Sequence, residues 1–495
     1  VQELKEDGVA CGRAGENNKR MNLTNALKNS QTFEKVGKVA DKLGMETYVV
    51  GGYVRDILLK RASKDIDFVC IGDGIKLAKS VAASLEGKPH VSVFKNFGTA
   101  MIKIDDWELE FVGARKESYQ SHSRKPKVEA GTLQEDQERR DFTINTLGIS
   151  LNEDQFGRLL DPFNGVKDLK RKIIRTPTDP NITFSDDPLR MMRAIRFAAQ
   201  LKFDIEATTF DGIMQNAPRL SIISRERIID ELNKIILTEK PSYGFKLLYV
   251  SGLLKEFFPE MVALQGVDSV GDKSHKDNFY HTLQVLDNVA ARSNDLWLRW
   301  SAIMHDIAKP ATKRFNQKVG WTFHGHEDKG SRMVPGIFRR LKLPMDERMK
   351  YVQKLVKLHL RPIALVNDKV TDAAVRRLLF EAGDDVDDLM QLCRADVTSK
   401  NDTKVKRFLA NFDRVDQKLQ EVEAKDQVRN FQPPVSGDEI MAIFGLKPSR
   451  LVGDLKEEIK EAILEGHIQN NKNEALELMY QLAAKKGIVK TTKDK

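Results

Sequence analysis

The stretch YVVGGYVRDILLKRASKDIDFVCIG, residues 48–72, constrains this chain more than any other. Tyr48 to Val50 reads as a short apolar strand, Gly51-Gly52 as a turn too tight for Cβ atoms, and Val54 to Lys60 carries helical apolar spacing. A strand, a glycine turn and a helix start, in that order, aim backbone N–H groups at an anion. Asp65-Ile66-Asp67-Phe68-Val69 reads as a second strand, whose period of two sets Asp65 and Asp67 on one face and turns Ile66 to the core. Two carboxylates beside a phosphate cradle call for magnesium. The chemistry that fits is in-line nucleotidyl transfer with two ions clamped by shared carboxylates. A bare GG or a bare DxD would be an ordinary turn or an exposed strand face; their closeness, with Arg55-Asp56 between them, favours a site.

Downstream, Arg139-Arg140-Asp141-Phe142-Thr143-Ile144-Asn145 sets two guanidiniums before an apolar strand, suited to bidentate contact with a triphosphate from the side opposite the glycines. In the run from Ser185 to Arg193, Asp187 and Arg190 stand three apart at a helix start. They offer one acceptor group and one donor group to a base edge, which fits cytosine and, after a small rearrangement, adenine. Pro188 at the first helical position leaves a second role open, with Asp187 as an N-cap accepting from the Arg190 backbone.

The segments GGYVRDILL, DIDF, WELEFVGARKESY, RRDFTIN and SDDPLRMMRAIRFAAQL, in this order, resemble the motifs of the class II tRNA nucleotidyltransferase and bacterial poly(A) polymerase family. Asp186 stands where the EDxxR motif of that family has Glu, and the run from Ser224 to Leu232 resembles its last motif, a helix-packing element. The resemblance implies Asp65 and Asp67 as catalytic magnesium ligands. It implies Gly51, Gly52, Arg55, Arg140, Asp187, Arg190 and Arg193 as nucleotide contacts, with Glu110 a candidate third carboxylate. It further implies tRNA as the acceptor and CTP and ATP as donors, for adding or repairing a 3′-terminal CCA.

A second constellation is His305-Asp306 in the apolar helix LRWSAIMHDIAK, an adjacent pair able to ligate one metal. The ordered series His281, His305-Asp306, His326, His359 and Asp396 resembles the full ligand set of HD-type phosphohydrolases. A complete set implies a working phosphohydrolase and not a scaffold, with a 2′,3′-cyclic phosphate at an RNA end as a first candidate substrate. Mixed imidazole and carboxylate ligands suit manganese, nickel, cobalt, iron or zinc.

The 495 residues are too many for one core and 41% hydrophobic content can fill several. The reading is an α+β chain: a polar extension at 1–30, a mixed α/β nucleotidyltransferase head at 31–165, an all-helical neck and body at 166–264, an HD-type helical domain at 265–430 and a helical RNA-binding tail at 431–495. A net charge of +9 suits a polyanionic partner. The tail lysines Lys447, Lys456, Lys460, Lys485 and Lys486 are expected to touch tRNA phosphates. Cys11, Cys70 and Cys393 form no CxxC pair, so a reducing, cytoplasmic home is expected. No apolar run reaches the roughly 18 residues of a spanning helix, no obligatory protein partner is indicated, and Val1 in place of Met reads as a trimmed start that leaves a lost leader open. The rival readings are a poly(A) polymerase or an A-only or CC-only member of the same family, an HD nucleotide phosphohydrolase with a non-catalytic RNA-binding head, and an RNA-binding protein without catalysis.

Overall fold

The computed structural model describes residues 21–28, 31–95, 98–118, 127–270, 273–274, 277–367, 371–398, 401–426, 429 and 432–488. Most of the expected polar extension, Cys11, part of the stretch 265–276 and Phe431 lie outside them. Contacts divide the chain into two compact units, Val1–Asn216 and Ala217–Lys495.

The first unit is built on a seven-stranded sheet. Helix α1 (Gln31–Leu43) leads into β1 (Thr47–Val50), the short helix α2 (Gly52–Leu58) and β2 (Asp65–Cys70). Helix α3 (Gly74–Ser84), β3 (Val91–Phe94), β4 (Thr99–Ile104), β5 (Trp107–Gly113), α4 (Leu133–Glu138), β6 (Gly148–Ser150) and β7 (Leu159–Leu160) follow. The strand order is β3-β4-β5-β2-β1-β6-β7, in which only β2 and β5 pair in parallel. Alternation along β2 does what its sequence requires. Ile66 and Phe68 are buried on one face, where Phe68 stacks on Phe111 at 4.7 Å and meets Phe33 of α1. Val69 continues the opposite face into a small apolar cluster with Tyr48, Val50 and Ala114, and Asp65 and Asp67 extend that face beyond it.

Three helices close the unit, α5 (Pro180–Asp186), α6 (Leu189–Leu201) and a last one over Ala207–Asn216. Helix α6 buries nine residues, Met191, Ile195 and Ala198 among them. The strand expected from Thr146 is preceded by a 3-10 turn at Thr143–Asn145, because the Asn145 N–H donates to the Phe142 carbonyl and tightens the chain before β6.

The second unit is almost wholly helical. The elements used below are α7 (Arg225–Ile236), α8 (Asn278–Ala290), α9 (Leu296–Met304), the hairpin strands β8 (Arg314–Asn316) and β9 (Gly320–Thr322), α10 (His326–Leu341), α11 (Glu347–Leu358), α12 (Val386–Asp396) and the long α13 (Asp402–Asp426). The tail adds α14 (Gly437–Phe444), α15 (Arg450–Glu465) and α16 (Lys472–Lys485). Arg299 of α9 is fully buried without a carboxylate. Its guanidinium donates to the carbonyls of Ile236, Thr238, Ala290 and Ser293 and to Asn294 Oδ1, so it collects the open C-terminal carbonyls of neighbouring helices. That clamp fixes the helix which ends at His305.

One close approach holds the first unit together. A Cβ on Gly74, the first residue of α3, would lie 2.7 Å from the Val112 carbonyl carbon and 2.8 Å from the Gly113 nitrogen. Helix α3 therefore starts directly against the backbone of β5. Gly74→Ala is expected to lower the unfolding free energy of this unit by about 1–3 kcal/mol through overpacking, as read by urea denaturation. An unchanged midpoint would show that the helix start can shift at no cost.

Candidate functional site

In the first unit the backbone makes the site before any side chain does. Gly51 ends β1 at φ +78°, a conformation open to glycine, and a Cβ there would sit 3.1 Å from Arg140 Nη1 and 3.3 Å from Asp67 Oδ2. The glycine thus leaves room for a carboxylate and a guanidinium to approach the turn. Arg140 lies alongside the glycines, not across from them as expected. The Gly51 N–H donates to the Leu147 carbonyl at 3.1 Å, so amides free to face an anion begin at Gly52.

Asp65 is exposed and Asp67 partly buried on their shared strand face, and Glu110 of β5 stands in register with Asp67. Burial raises the Asp67 carboxyl, Arg140 opposes this, and Asp65 adds to the rise. Glu110 is also raised, by lost hydration and then by the charge on Asp67, although a hydrogen bond from Thr99 lowers it. Carboxylates that raise one another in this way are relieved by a cation, so the residues present fit a bound divalent ion. Glu110 does not close with the two aspartates into a compact set of three ligands among the described residues.

The remaining expected nucleotide contacts are bound up in a polar network. Asp136, which the sequence reading passed over, is fully buried and pairs with both Arg139 and Arg140. Arg55 is turned inward: Nε and Nη2 donate to Asp56, Nη1 to Asn145 Oδ1, and the guanidinium lies 5.0 Å from the Phe197 ring centre. It backs the glycine turn instead of projecting from it. Asn145 donates to Asp141 Oδ1, and Arg193 holds Asp141 Oδ2 with Nε at 2.8 Å and Nη2 at 2.6 Å. Arg190 Nη2 donates to the Arg139 carbonyl at 2.6 Å. Helix α6 begins at Leu189, one residue later than expected, and Asp187 Oδ1 accepts from the Leu189 N–H at 3.2 Å, not from Arg190.

In the second unit all six expected ligands meet. Asp306 Oδ2 lies 3.4 Å from His281 Nε2 and 3.3 Å from His305 Nε2, while Oδ1 lies 3.2 Å from His326 Nε2 and 4.0 Å from His359 Nε2. Asp396 Oδ1 is 2.9 Å from His281 Nε2. The groups with ligand spacing are His281, His305 and Asp396, and Asp306, His326 and His359. One metal between His305 and Asp306 was expected. The structure instead gathers two ligand groups with the Asp306 carboxylate between them, because its two oxygens face opposite ways.

Each imidazole is set by its other nitrogen. Nδ1 of His305, His326 and His359 meets the carbonyl three residues earlier, at 2.7, 2.8 and 2.7 Å, and Nδ1 of His281 meets Thr398 Oγ1 at 2.8 Å. A carbonyl only accepts, so Nδ1 carries a proton in those three rings, and in the neutral form Nε2 presents a lone pair inward. Burial, then the charges on His305 and His326, lower His359 to about 4, which keeps it a neutral ligand. Burial opposes ionisation of Asp396, but hydrogen bonding from His281 and the charge on His305 hold its carboxyl at about 2. The fully buried His305 Nε2 makes no well-aligned hydrogen bond among the described residues and has only the 3.3 Å approach of Asp306 Oδ2. Such a nitrogen in a ring of lone pairs fits a bound metal. Lys309, also passed over, extends into this cluster with Nζ 2.6 Å from Asp306 Oδ2.

Of the tail lysines, Lys460 pairs with Glu457 and lies 5.5 Å from the Phe380 ring, and Lys486 pairs with Glu458 at 2.8 Å. Lys447 and Lys485 are exposed.

Residues 47–175 match the family model described as "Poly A polymerase head domain", 202–264 that of "Probable RNA and SrmB- binding site of polymerase A", and 278–401 that of the HD domain. The chain is similar to an A-adding tRNA nucleotidyltransferase of Deinococcus radiodurans, with 34% identity over 68% of this chain and 76% of the relative. It is also similar to a multifunctional CCA protein of Shewanella frigidimarina, with 33% identity over 61% and 71% of the two chains. A crystal structure of a tRNA nucleotidyltransferase with a primer tRNA and an incoming ATP analogue superposes at a TM-score of 0.56 and 25% identity, covering 77% of this chain and 98% of that one. No helix among the described residues is long and apolar enough to cross a membrane.

The Asp141 network makes an acid-stability prediction. Burial would raise this carboxyl, but Arg193 and Asn145 outweigh it and hold it at about 2, below its ordinary value of 3.8. A depressed carboxyl stabilises the fold above its unfolded pKa, and that contribution is lost as pH falls from 3.8 toward 2. Asp141→Asn should cost about 2 kcal/mol at neutral pH and flatten the fall in stability between those values. An acid limb of the same slope in both proteins would contradict the pairing.

Proposed function

Because the chain belongs to the tRNA nucleotidyltransferase family, whose head domain is shared with poly(A) polymerase, we propose that it adds or repairs the CCA end of tRNA from CTP and ATP in the cytoplasm. The observation that carries this reading is the approach of Asp67 and Arg140 to the Gly51 turn, beside Asp65. Both the head and the HD domain are of metal-dependent kinds. Asp65 and Asp67 would hold magnesium, which lowers the pKa of the attacking 3′-hydroxyl and steadies the leaving pyrophosphate. Arg140 neutralises triphosphate charge next to the turn, and Gly51 and Gly52 let the phosphates approach the backbone. Asp187 and Arg190 read the base edge, with the Arg190 guanidinium held by the Arg139 carbonyl. Arg55 acts from behind the turn by bracing it. Exposed tail lysines, Lys447 and Lys485 first, meet the tRNA backbone, which an enzyme serving many tRNAs reads by phosphate and shape.

The second centre is a phosphohydrolase. His281, His305, Asp306, His326, His359 and Asp396 would hold manganese, nickel, cobalt, iron or zinc, which supplies an activated water. Hydrolysis of a 2′,3′-cyclic phosphate would form one P–O bond from water, break one ribose P–O bond and leave the water's proton on the freed ribose oxygen. Hydrolysis opens the blocked terminus of a damaged RNA.

A second reading has its own support. The Deinococcus relative is named for A addition alone, so an A-adding role is the alternative within the family. Radiolabelled CTP or ATP with tRNA transcripts ending before CCA, after C and after CC separates the two: incorporation of C onto the first transcript supports full CCA addition, and A onto the last alone supports A addition.

Asp65→Asn or Asp67→Asn is expected to reduce incorporation to background while tRNA affinity in a filter-binding assay stays within about twofold, since affinity comes from phosphate contacts elsewhere. Substantial turnover by either variant at saturating magnesium would remove the assignment. Asp187→Ala and Arg190→Ala should lower discrimination among the four nucleotides by about 5- to 100-fold, the worth of a bidentate base contact, with less effect on turnover of the preferred one. Unchanged preferences with lowered stability would leave only the structural role. His305→Ala and Asp306→Ala should empty the HD centre by elemental analysis and end hydrolysis of cyclic phosphate, with nucleotide addition intact.

A further inference from the structure

Between two ligand-bearing segments of the HD centre, His305-Asp306 and His326, the chain makes the hairpin β8–β9. Its composition departs from the rest of the molecule. The chain has 72 acidic residues among 495, yet none lies between Asp306 and Glu327, a segment that holds the four cations Lys309, Lys313, Arg314 and Lys318 and the three rings Phe315, Trp321 and Phe323. Phe315 pairs across the hairpin with Trp321 in register, their ring centres 5.2 Å apart and edge to face. Lys313 Nζ lies 5.0 Å from the Trp321 ring and Lys309 Nζ 5.7 Å from that of Phe323. The tip is open: every residue from Arg314 to Val319 is exposed, Phe315 at 37% and Val319 at 72%. Asn316 Oδ1 accepts from the Lys318 and Val319 amides, which gives the tip a defined shape.

We propose that this hairpin is a platform for single-stranded RNA, on which the last bases of a 3′ end stack while their terminal phosphoester enters the HD centre. The proposal rests on the reading of that centre as a phosphohydrolase and names its substrate class: an RNA end, not a free nucleotide. Lys313 is paired with Asp268 from outside the segment, which leaves Lys309, Arg314 and Lys318 as its other cations. Aromatic faces set among cations, in a segment with no carboxylate of its own, are what a single strand demands, since every base has a face to stack and every linkage a negative charge to meet. The placement supplies the link to chemistry. Lys309, three residues after Asp306, reaches the ligand cluster at one end of the segment, and His326, three residues after Phe323, enters it at the other. The base of the hairpin, where Lys309 lies over Phe323 and the Phe323 carbonyl meets His326 Nδ1, therefore adjoins the ligand cluster.

The test uses the full-length, metal-loaded enzyme with three probes: cytidine 2′,3′-cyclic phosphate, a short single-stranded RNA ending in the same group, and that RNA ending in a 3′-phosphate as a binding probe. Phe315→Ala and the pair Arg314→Ala with Lys318→Ala should each raise KM for the cyclic-phosphate RNA and weaken affinity for the 3′-phosphate RNA by about 5- to 50-fold, the worth of one stacked base. Hydrolysis of the mononucleotide and bound metal should match the wild type, and wild-type affinity for the RNA should fall steeply with salt. Equal losses on mononucleotide and RNA, or unchanged RNA affinity in both variants, would overturn the platform. If the wild type hydrolyses neither substrate, the phosphohydrolase reading fails on its own, and the affinity arm still decides whether the hairpin holds RNA.

Discussion

Asp141 takes Arg193 on one oxygen and Asn145 on the other, and it does so almost out of reach of water. A carboxylate buried in that way is tolerable only while both partners stay, because either one alone leaves an uncompensated charge. The chain from Arg193 through Asp141 and Asn145 to Arg55 and Asp56 therefore ties helix α6, the 139–145 segment and helix α2 into one arrangement. Phe197 lies among three guanidiniums of that arrangement, 5.0 Å from Arg55, 5.4 Å from Arg193 and 4.1 Å from Arg196. The helix that follows the glycine turn is thus braced by contacts from segments far along the chain. Preorganisation of this kind costs nothing at the moment of reaction.

The second centre reaches the same end by a different route. There four of the six expected ligands are rings, and each ring is oriented by a backbone carbonyl or a hydroxyl on the nitrogen that faces away. The Asp306 carboxylate sits between two ligand groups and meets Lys309 besides, so its charge is divided among neighbours from several elements. The head leaves its carboxylates on a strand face open to a large substrate, whereas the HD ligands are buried among helices.

Much of this was legible from residue order. The strand, glycine turn and DxD strand follow from apolar spacing and from the permissiveness of glycine, whereas the six-residue HD set was implied by the resemblance of its ordered series to HD-type phosphohydrolases. What escaped the reading was mostly partnership. Asp136 sits in EDQERRD, three and four residues before Arg139 and Arg140 on a helix, a spacing that could have flagged the pairing. The inward turn of Arg55 depends on Asn145, ninety residues away in sequence, and no local pattern carries that. The loss of the Gly51 amide to Leu147 is likewise a property of the folded sheet. The split of one expected metal position into two ligand groups arises from where the Asp306 carboxylate ends up.

The ligands of the HD cluster occupy helix ends. His305 and His359 directly follow α9 and α11, Asp396 is the last residue of α12, His326 is the first of α10, and His281 lies in the first turn of α8. One residue inserted inside any of these helices would swing its ligand by about 100° around the helix axis and carry it about 1.5 Å along. The same insertion in a connecting loop would leave every ligand in place. The cluster thus divides the chain into lengths that must be kept and lengths that are free to vary, and the exposed tip from Arg314 to Val319, clear of Lys309 and of the Phe323 carbonyl, is of the second kind.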